Sequence, residues 1–300
     1  MLSIDDFLPV SISDRDLFVR HYAKYPQDHS DNSFTNMVCW NHYAGYRYAR
    51  IKSSIVLAST VEGETSFRPP IGPRDPDLLR EVLRLAAREG AEKPLHIFSN
   101  AMKEWIQQQY PALVLYPDRD YADYVYATTD LAQLPGKKYL SIRRQLNKFR
   151  KNCDYVIEPI SRENFCEVRE FLAKWCEWKH CDESPVLAYE KDAVLFAVDH
   201  FFELGVSGIT VRVDGGITGM AIYDELSRDA AVVHFEKGLP DCEGIYKEVN
   251  QATAQQLLDR YRYVNRESDL GISGLREAKM RYHPDHLVEV WYAKKEEIRI

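Results

Sequence analysis

Residues 263–284 read Tyr263-Val-Asn-Arg-Glu-Ser-Asp-Leu-Gly-Ile-Ser-Gly-Leu-Arg-Glu-Ala-Lys-Met-Arg-Tyr-His-Pro284. Asn265, Arg266, Glu267 and Asp269 crowd what reads as a connection from a strand to a helix. Gly271 and Gly274 let the backbone turn tightly or approach a ligand. Arg276 and Lys279 are three apart and share a helix face, with Tyr282 one step further on. Free N–H groups at a helix start suit anionic ligands. Arg276 and Lys279 could hold a phosphate or steady the oxyanion of an acyl transfer, or form a solvated basic face. Glu236 and Lys237 close an apolar strand. Glu236 there could accept a proton from an attacking amine, or pair with Arg266 or Arg276.

A second group lies at residues 137–151, where Lys137, Lys138, Arg143, Arg144, Lys148, Arg150 and Lys151 occur without an acid. On a helix Arg144, Lys148 and Lys151 line up. In a chain of net charge -7, nucleic-acid contact would have to come from such a local patch. The alternative is a solvated helix over a domain junction. Asp31, Asn32, Ser33 and Trp40 most simply cap and pack a helix, and Asp269 and Ser273 suit capping too.

The elements that must position these groups alternate in type. Helices are expected at 14–25, 33–42, 77–89 and 102–109, and strands at 46–51, 55–60, 65–68, 95–98, 113–116 and 124–127. The second half repeats the order. It has helices at 162–180 and 191–204, strands at 209–213, 217–223 and 230–235, a helix at 246–259, a strand at 261–265, a helix at 274–282 and a strand at 287–292. Asp214-Gly215-Gly216 is a strong hairpin turn. A mixed α/β sheet with helices on both faces follows. The chain of 300 residues suits two domains, placed at 1–130 and 152–300 with a basic linker helix at 131–151. The six cysteines have no CxxC spacing, so free thiols in a cytosolic protein, without a metal site, are expected. No signal pattern or membrane-spanning apolar run is seen.

The repeated order resembles the GNAT acyltransferase fold in tandem. Asp31-Asn-Ser-Phe-Thr-Asn36 with Trp40, Gly136-Lys-Lys-Tyr-Leu-Ser-Ile-Arg-Arg-Gln-Leu-Asn-Lys-Phe149, His234-Phe-Glu-Lys237 and 264–279 with Tyr282 and Pro284 are similar to a bacterial family related to the C-terminal domain of phosphatidylglycerol lysyltransferase. Such lysyltransferases move an amino acid from a charged tRNA to a lipid head group; no stretch of these 300 residues reads as the membrane-spanning part that accompanies them, so a lipid acceptor is not expected. The resemblance implies two GNAT-like domains, with the active site in the second. Glu236, Arg276 and Lys279 would be catalytic. His234, Lys237, Asn265, Arg266, Glu267 and Tyr282 would bind substrate, and Lys137, Lys138, Arg143, Arg144 and Lys148 would contact tRNA phosphates. GNAT enzymes hold coenzyme A on a glycine-rich loop. Here that segment, 235–246, carries three acids and Pro240, so a transferase of aminoacyl or other acyl groups without coenzyme A is expected, with an unidentified amine or hydroxyl acceptor. The other readings are an acetyl-coenzyme A-dependent N-acetyltransferase with a divergent loop and a non-catalytic module binding tRNA or a small anion.

Overall fold

The computed structural model describes residues 2–300. The described residues form two compact units, one of residues 2–123, 268–272 and 288–300, the other of residues 124–267 and 273–287. Each is built on a mixed sheet.

In the first unit Arg47–Ile51, Ser54–Val61 and Glu64–Phe67 form an antiparallel meander. Helix Pro76–Glu89 then crosses the sheet. Its start is fixed by Asp75, whose carboxylate accepts from the N–H groups of Asp77 and Leu78 at 3.0 Å, and by Pro76 in the first turn. Its apolar face buries Leu79, Val82, Leu83 and Ala86 in one core with Val56, Ala58 and Phe67. Strand Leu95–Phe98 follows, parallel to the meander through one pair, Phe67 with Leu95. Beyond that pair the two strands fork.

The second unit repeats this plan. Ser207–Val213, Gly216–Ser227 and Ala230–Gly238 form the meander. The first hairpin turns through Asp214 and Gly215, at φ 49° and 85°, as Asp-Gly turns do. Helix Ile245–Leu257 returns the chain to Tyr263–Asn265, which pairs in parallel with 230–232. Gly219 and Gly238 let the helix lie close, since a Cβ on either would meet Val249 or Ile245 within 3 Å. The strand Ala230–Gly238 runs on past the end of its partner, so this sheet forks as well. The fork has a local cause. Ile222 pairs with Phe235 and Tyr223 with Val233, which leaves His234 as an extra residue in a β-bulge. A bulge bends its strand and re-aims the side chains beyond it.

Several expectations need correction. The units do not divide at 131–151. The strand Asp123–Ala127 pairs with Tyr263–Asn265, and Trp291–Ala293 pairs with Leu95–Phe98 and Tyr116–Pro117. Residues 137–152 fold as a 3-10 turn and the helix Leu140–Asn152. Ile142, Leu146 and Phe149 are buried there, so this is an integral helix of the second unit rather than a linker. The strand expected at 113–116 shrinks to Tyr116–Pro117, Tyr155–Pro159 is an edge strand not anticipated, and the 33–42 helix breaks at Trp40 into Phe34–Cys39 and Asn41–Ala44. Ser33 does cap the first of these, accepting from the Asn36 N–H at 3.2 Å.

Candidate active site

The fork of the second unit gathers most of the singled-out polar residues. His234, delivered by the bulge, has a side chain only 1% exposed. Its Nδ1 lies 3.0 Å from Glu267 Oε1. A carboxylate can only accept, so Nδ1 donates, and the tautomer this selects would carry its lone pair on Nε2. Nε2 is buried and has no hydrogen-bond partner among the described residues. Glu267 reaches the histidine from a left-handed backbone, φ 59°, an unusual conformation for a residue with a side chain. Hydrogen bonds hold it there, among them one from the Tyr124 N–H to its carbonyl at 3.2 Å. Asn265, fully buried, accepts from the Glu267 N–H at 2.7 Å, and the Glu267 carbonyl accepts from Lys279 Nζ at 3.1 Å.

Glu236 stands two residues beyond the bulge. One carboxylate oxygen pairs with the Arg266 guanidinium, and the other accepts from the Asn250 side-chain amide at 3.1 Å. Arg266 follows the last paired residue of its strand. Its guanidinium lies 4.9 Å from the Tyr282 ring and 5.7 Å from the Tyr126 ring, contacts worth about 0.5–2 kcal/mol each. Burial opposes its charge, but Glu236 beside it holds the guanidinium above its ordinary pKa. Lys247 lies 5.2 Å above Tyr282, and burial, then the charge of Arg266, lowers its pKa. Tyr282 is buried, and burial raises its pKa.

Not every expected residue joins this group. Lys237 is adjacent to Glu236 and so faces the other side of the strand. It is buried there in a pair with Glu190, 4.3 Å from the Trp175 ring. Lys279 does not present its ammonium to the fork as a free cation. It donates to the backbone carbonyls of Arg266 and Glu267. Arg276 lies half-buried on the same helix, Ser273–Met280. Asp269 belongs to the first unit, where it is buried against Arg119 at 3.2 Å and caps the Gly271 N–H at 2.9 Å.

Much of the basic island is engaged within the fold. Lys138 pairs with Asp130 at 2.9 Å, Lys148 with Glu243 and Arg150 with Glu248 at 2.8 Å. Arg143 donates to the carbonyls of Leu134 and Gly136. Lys137, Arg144 and Lys151 are exposed.

Three buried polar atoms around the fork have no partner among the described residues: His234 Nε2, Arg266 Nε and Asn250 Oδ1. Buried polar groups are nearly always satisfied, so three together describe a place prepared for a ligand or ordered water. Asn250 and Lys247 were not apparent in the sequence. Their spacing of three on one helix was the available signal, but only the packing shows that this face meets the fork. A cavity of about 490 Å³ lined by Arg260, Arg262 and Asp285 lies at the start of strand Tyr263–Asn265, away from these groups. Among the described residues no cluster of His, Cys, Asp and Glu is arranged to hold a metal ion.

A meander, a crossing helix and a forked parallel strand, present twice, define a protein of two GNAT-like domains. The chain belongs to the phosphatidylglycerol lysyltransferase C-terminal family, which matches residues 22–294. A conserved protein of unknown function from Bacteroides thetaiotaomicron is 30% identical, with TM-score 0.88 over 96% of this chain and 98% of that one. The C-terminal domain of an Agrobacterium fabrum protein designated a lysylphosphatidylglycerol synthetase aligns at TM-score 0.64 and 15% identity, over 95% and 94%. L-PGS from Bacillus licheniformis aligns at TM-score 0.65 and 14% identity, over 96% and 93%. None of the curated proteins matches the sequence. Among the described residues no helix is long and apolar enough to cross a membrane.

Proposed function

We propose that the second domain transfers an aminoacyl group from an ester donor, an aminoacyl-tRNA, to an acceptor hydroxyl or amine, without coenzyme A. The observation that carries this is the His234–Glu267 pair, with a buried Nε2 that has no partner among the described residues, on the strand that also carries Glu236. A histidine oriented by a carboxylate is built to take a proton. In the step proposed, the acceptor O–H or N–H attacks the ester carbonyl carbon and its proton passes to His234 Nε2. The tetrahedral intermediate then expels the tRNA ribose oxygen, which takes that proton. Glu236 and Asn250 Oδ1 offer acceptors for the α-ammonium of the aminoacyl group. Lys279 acts here as a positioning residue for Glu267, a change from the direct oxyanion role expected of it.

Family membership and the fork support this reading. So does the start of helix Ile245–Leu257, where a GNAT enzyme would seat a pyrophosphate. Gly244 sits there at φ 100°, and a Cβ on it would lie 2.9 Å from the Gln145 carbonyl and 3.1 Å from Phe149. Helix Leu140–Asn152 therefore covers that end, and Lys148 ties to the neighbouring Glu243. The test is the rate at which the full chain removes labelled aminoacyl groups from a pool of charged tRNAs. His234→Gln should slow it by about 10²–10⁴-fold, the usual scale of a general base, with the unfolding midpoint preserved. A variant as fast as wild type would remove His234 from the chemistry.

A further inference from the structure

The first unit carries a fork of its own, and its contents differ. Arg68 immediately follows Phe67 and His96 immediately follows Leu95, the one parallel pair. Both side chains therefore stand where the two strands separate. Arg68 is 2% exposed and His96 7%. Arg68 donates from Nη1 to Ser59 Oγ at 2.7 Å and lies 5.9 Å from the Tyr46 ring, but its Nε has no partner among the described residues. Among the described residues no carboxylate pairs with it. Asp118, which touches His96 at 3.1 Å, is taken up by Lys93 at 2.6 Å. Asp31 accepts from the Asn36 amide at 3.2 Å.

A buried guanidinium without an anion is costly to fold, and Arg cannot escape by losing its proton. A second donor accompanies it. The Tyr22 hydroxyl is buried without a partner among the described residues and lies within reach of the Arg68 charge. The backbone beside them is strained as well. Ile97, a β-branched residue, sits at φ 55° next to His96, where Phe98 and His96 pair with Trp291 and Tyr292 and leave it unpaired. Strain of this kind collects at ligand clamps and active sites.

We infer that the fork of the first domain is a second binding site, specific for a small oxyanion, the carboxylate or phosphate of a substrate or effector, held by Arg68 and the Tyr22 hydroxyl. It stands apart from the proposed chemistry of the second domain, where Arg266 already has Glu236 as its counterion.

Thermal unfolding of the full chain tests this, with inorganic phosphate or acetate replacing chloride at constant ionic strength. At saturation either anion should raise the midpoint by about 2–4 °C. The one acting at lower concentration identifies the ligand as a phosphate or a carboxylate. Arg68→Gln should abolish the rise and unfold no lower than wild type in chloride, because it removes an unpaired buried charge. Tyr22→Phe removes no charge and no existing hydrogen bond. It should keep the chloride midpoint and shift the half-effect concentration several-fold upward, which keeps the test sound if Arg68→Gln folds poorly. His234→Gln should retain the full rise. No rise in wild type, an equal rise in Arg68→Gln, or an unchanged response in Tyr22→Phe would each overturn the assignment.

Discussion

The ammonium of Lys279 is bonded to the backbone carbonyl of Arg266, thirteen residues earlier in the chain. The same ammonium reaches the Glu267 carbonyl at 3.1 Å. Lys279 thus fixes the short segment that sends one side chain to Glu236 and the next to His234. An exposed lysine would contribute little to folding, whereas this one is half-buried and satisfies two carbonyls. Lys279→Met should lower unfolding free energy in urea by about 1–3 kcal/mol. Arg281→Ala, on an exposed pair with Glu277, should cost about 0.5 kcal/mol or less. Equal, small effects would return Lys279 to a direct role toward ligand.

The exposed charges of the helix Leu140–Asn152 define the expected contact with tRNA. Arg144 and Lys151 are exposed, whereas Lys148 is held by Glu243. Replacing Arg144 and Lys151 together by Glu should weaken tRNA retention. It should also flatten the plot of log affinity against log salt by about 0.7–0.9 for each phosphate that is no longer neutralised. Filter binding across a salt series measures both. Wild-type protein that retains no tRNA at low salt would leave the tRNA donor without physical support.

Asp118 makes the first domain sensitive to acid. Burial works against its charge, but hydrogen bonds from His96 and Lys93 hold its pKa at about 2, below the ordinary 3.8. The folded value lies below the unfolded one, so the stabilisation is fully present above about pH 4 and is lost as the pH falls toward 2. Its size is at most about 2.5 kcal/mol, and solvent screening of the Lys93 pair makes it smaller. Asp118→Asn should be less stable at neutral pH and should show a flatter loss of stability between those limits. Denaturant titrations at stepped pH decide it, and parallel curves for the two proteins would assign the acid sensitivity elsewhere.

Local pattern made much of this fold legible. Alternation and the Asp214-Gly215 turn announce the second meander, and Asp75-Pro76 with Leu79, Val82 and Ala86 announces the crossing helix. Period two also separates Glu236 from Lys237, which the structure sends to opposite faces. The allocation of strands to sheets was not legible. Apolar residues in 124–127 and 291–293 say that a strand is buried, not which edge receives it. The histidine bulge was hidden for a related reason, since one extra residue is visible only against its partner strand. Arg68 looks like any surface arginine until Phe67 and Leu95 are paired.

The strand Trp291–Ala293 lies between Leu95–Phe98 and Tyr116–Pro117 in the first sheet. This has a consequence for synthesis. A ribosome adding about 5–20 residues per second needs roughly 10–40 s to go from one of these neighbours to the inserted strand. Through that interval the Leu95–Phe98 edge, with His96 and the strained Ile97, has an unfilled neighbour position. An open edge of this kind invites pairing with other chains. The nascent protein is therefore most exposed to aggregation in the domain made first, and that domain is completed last.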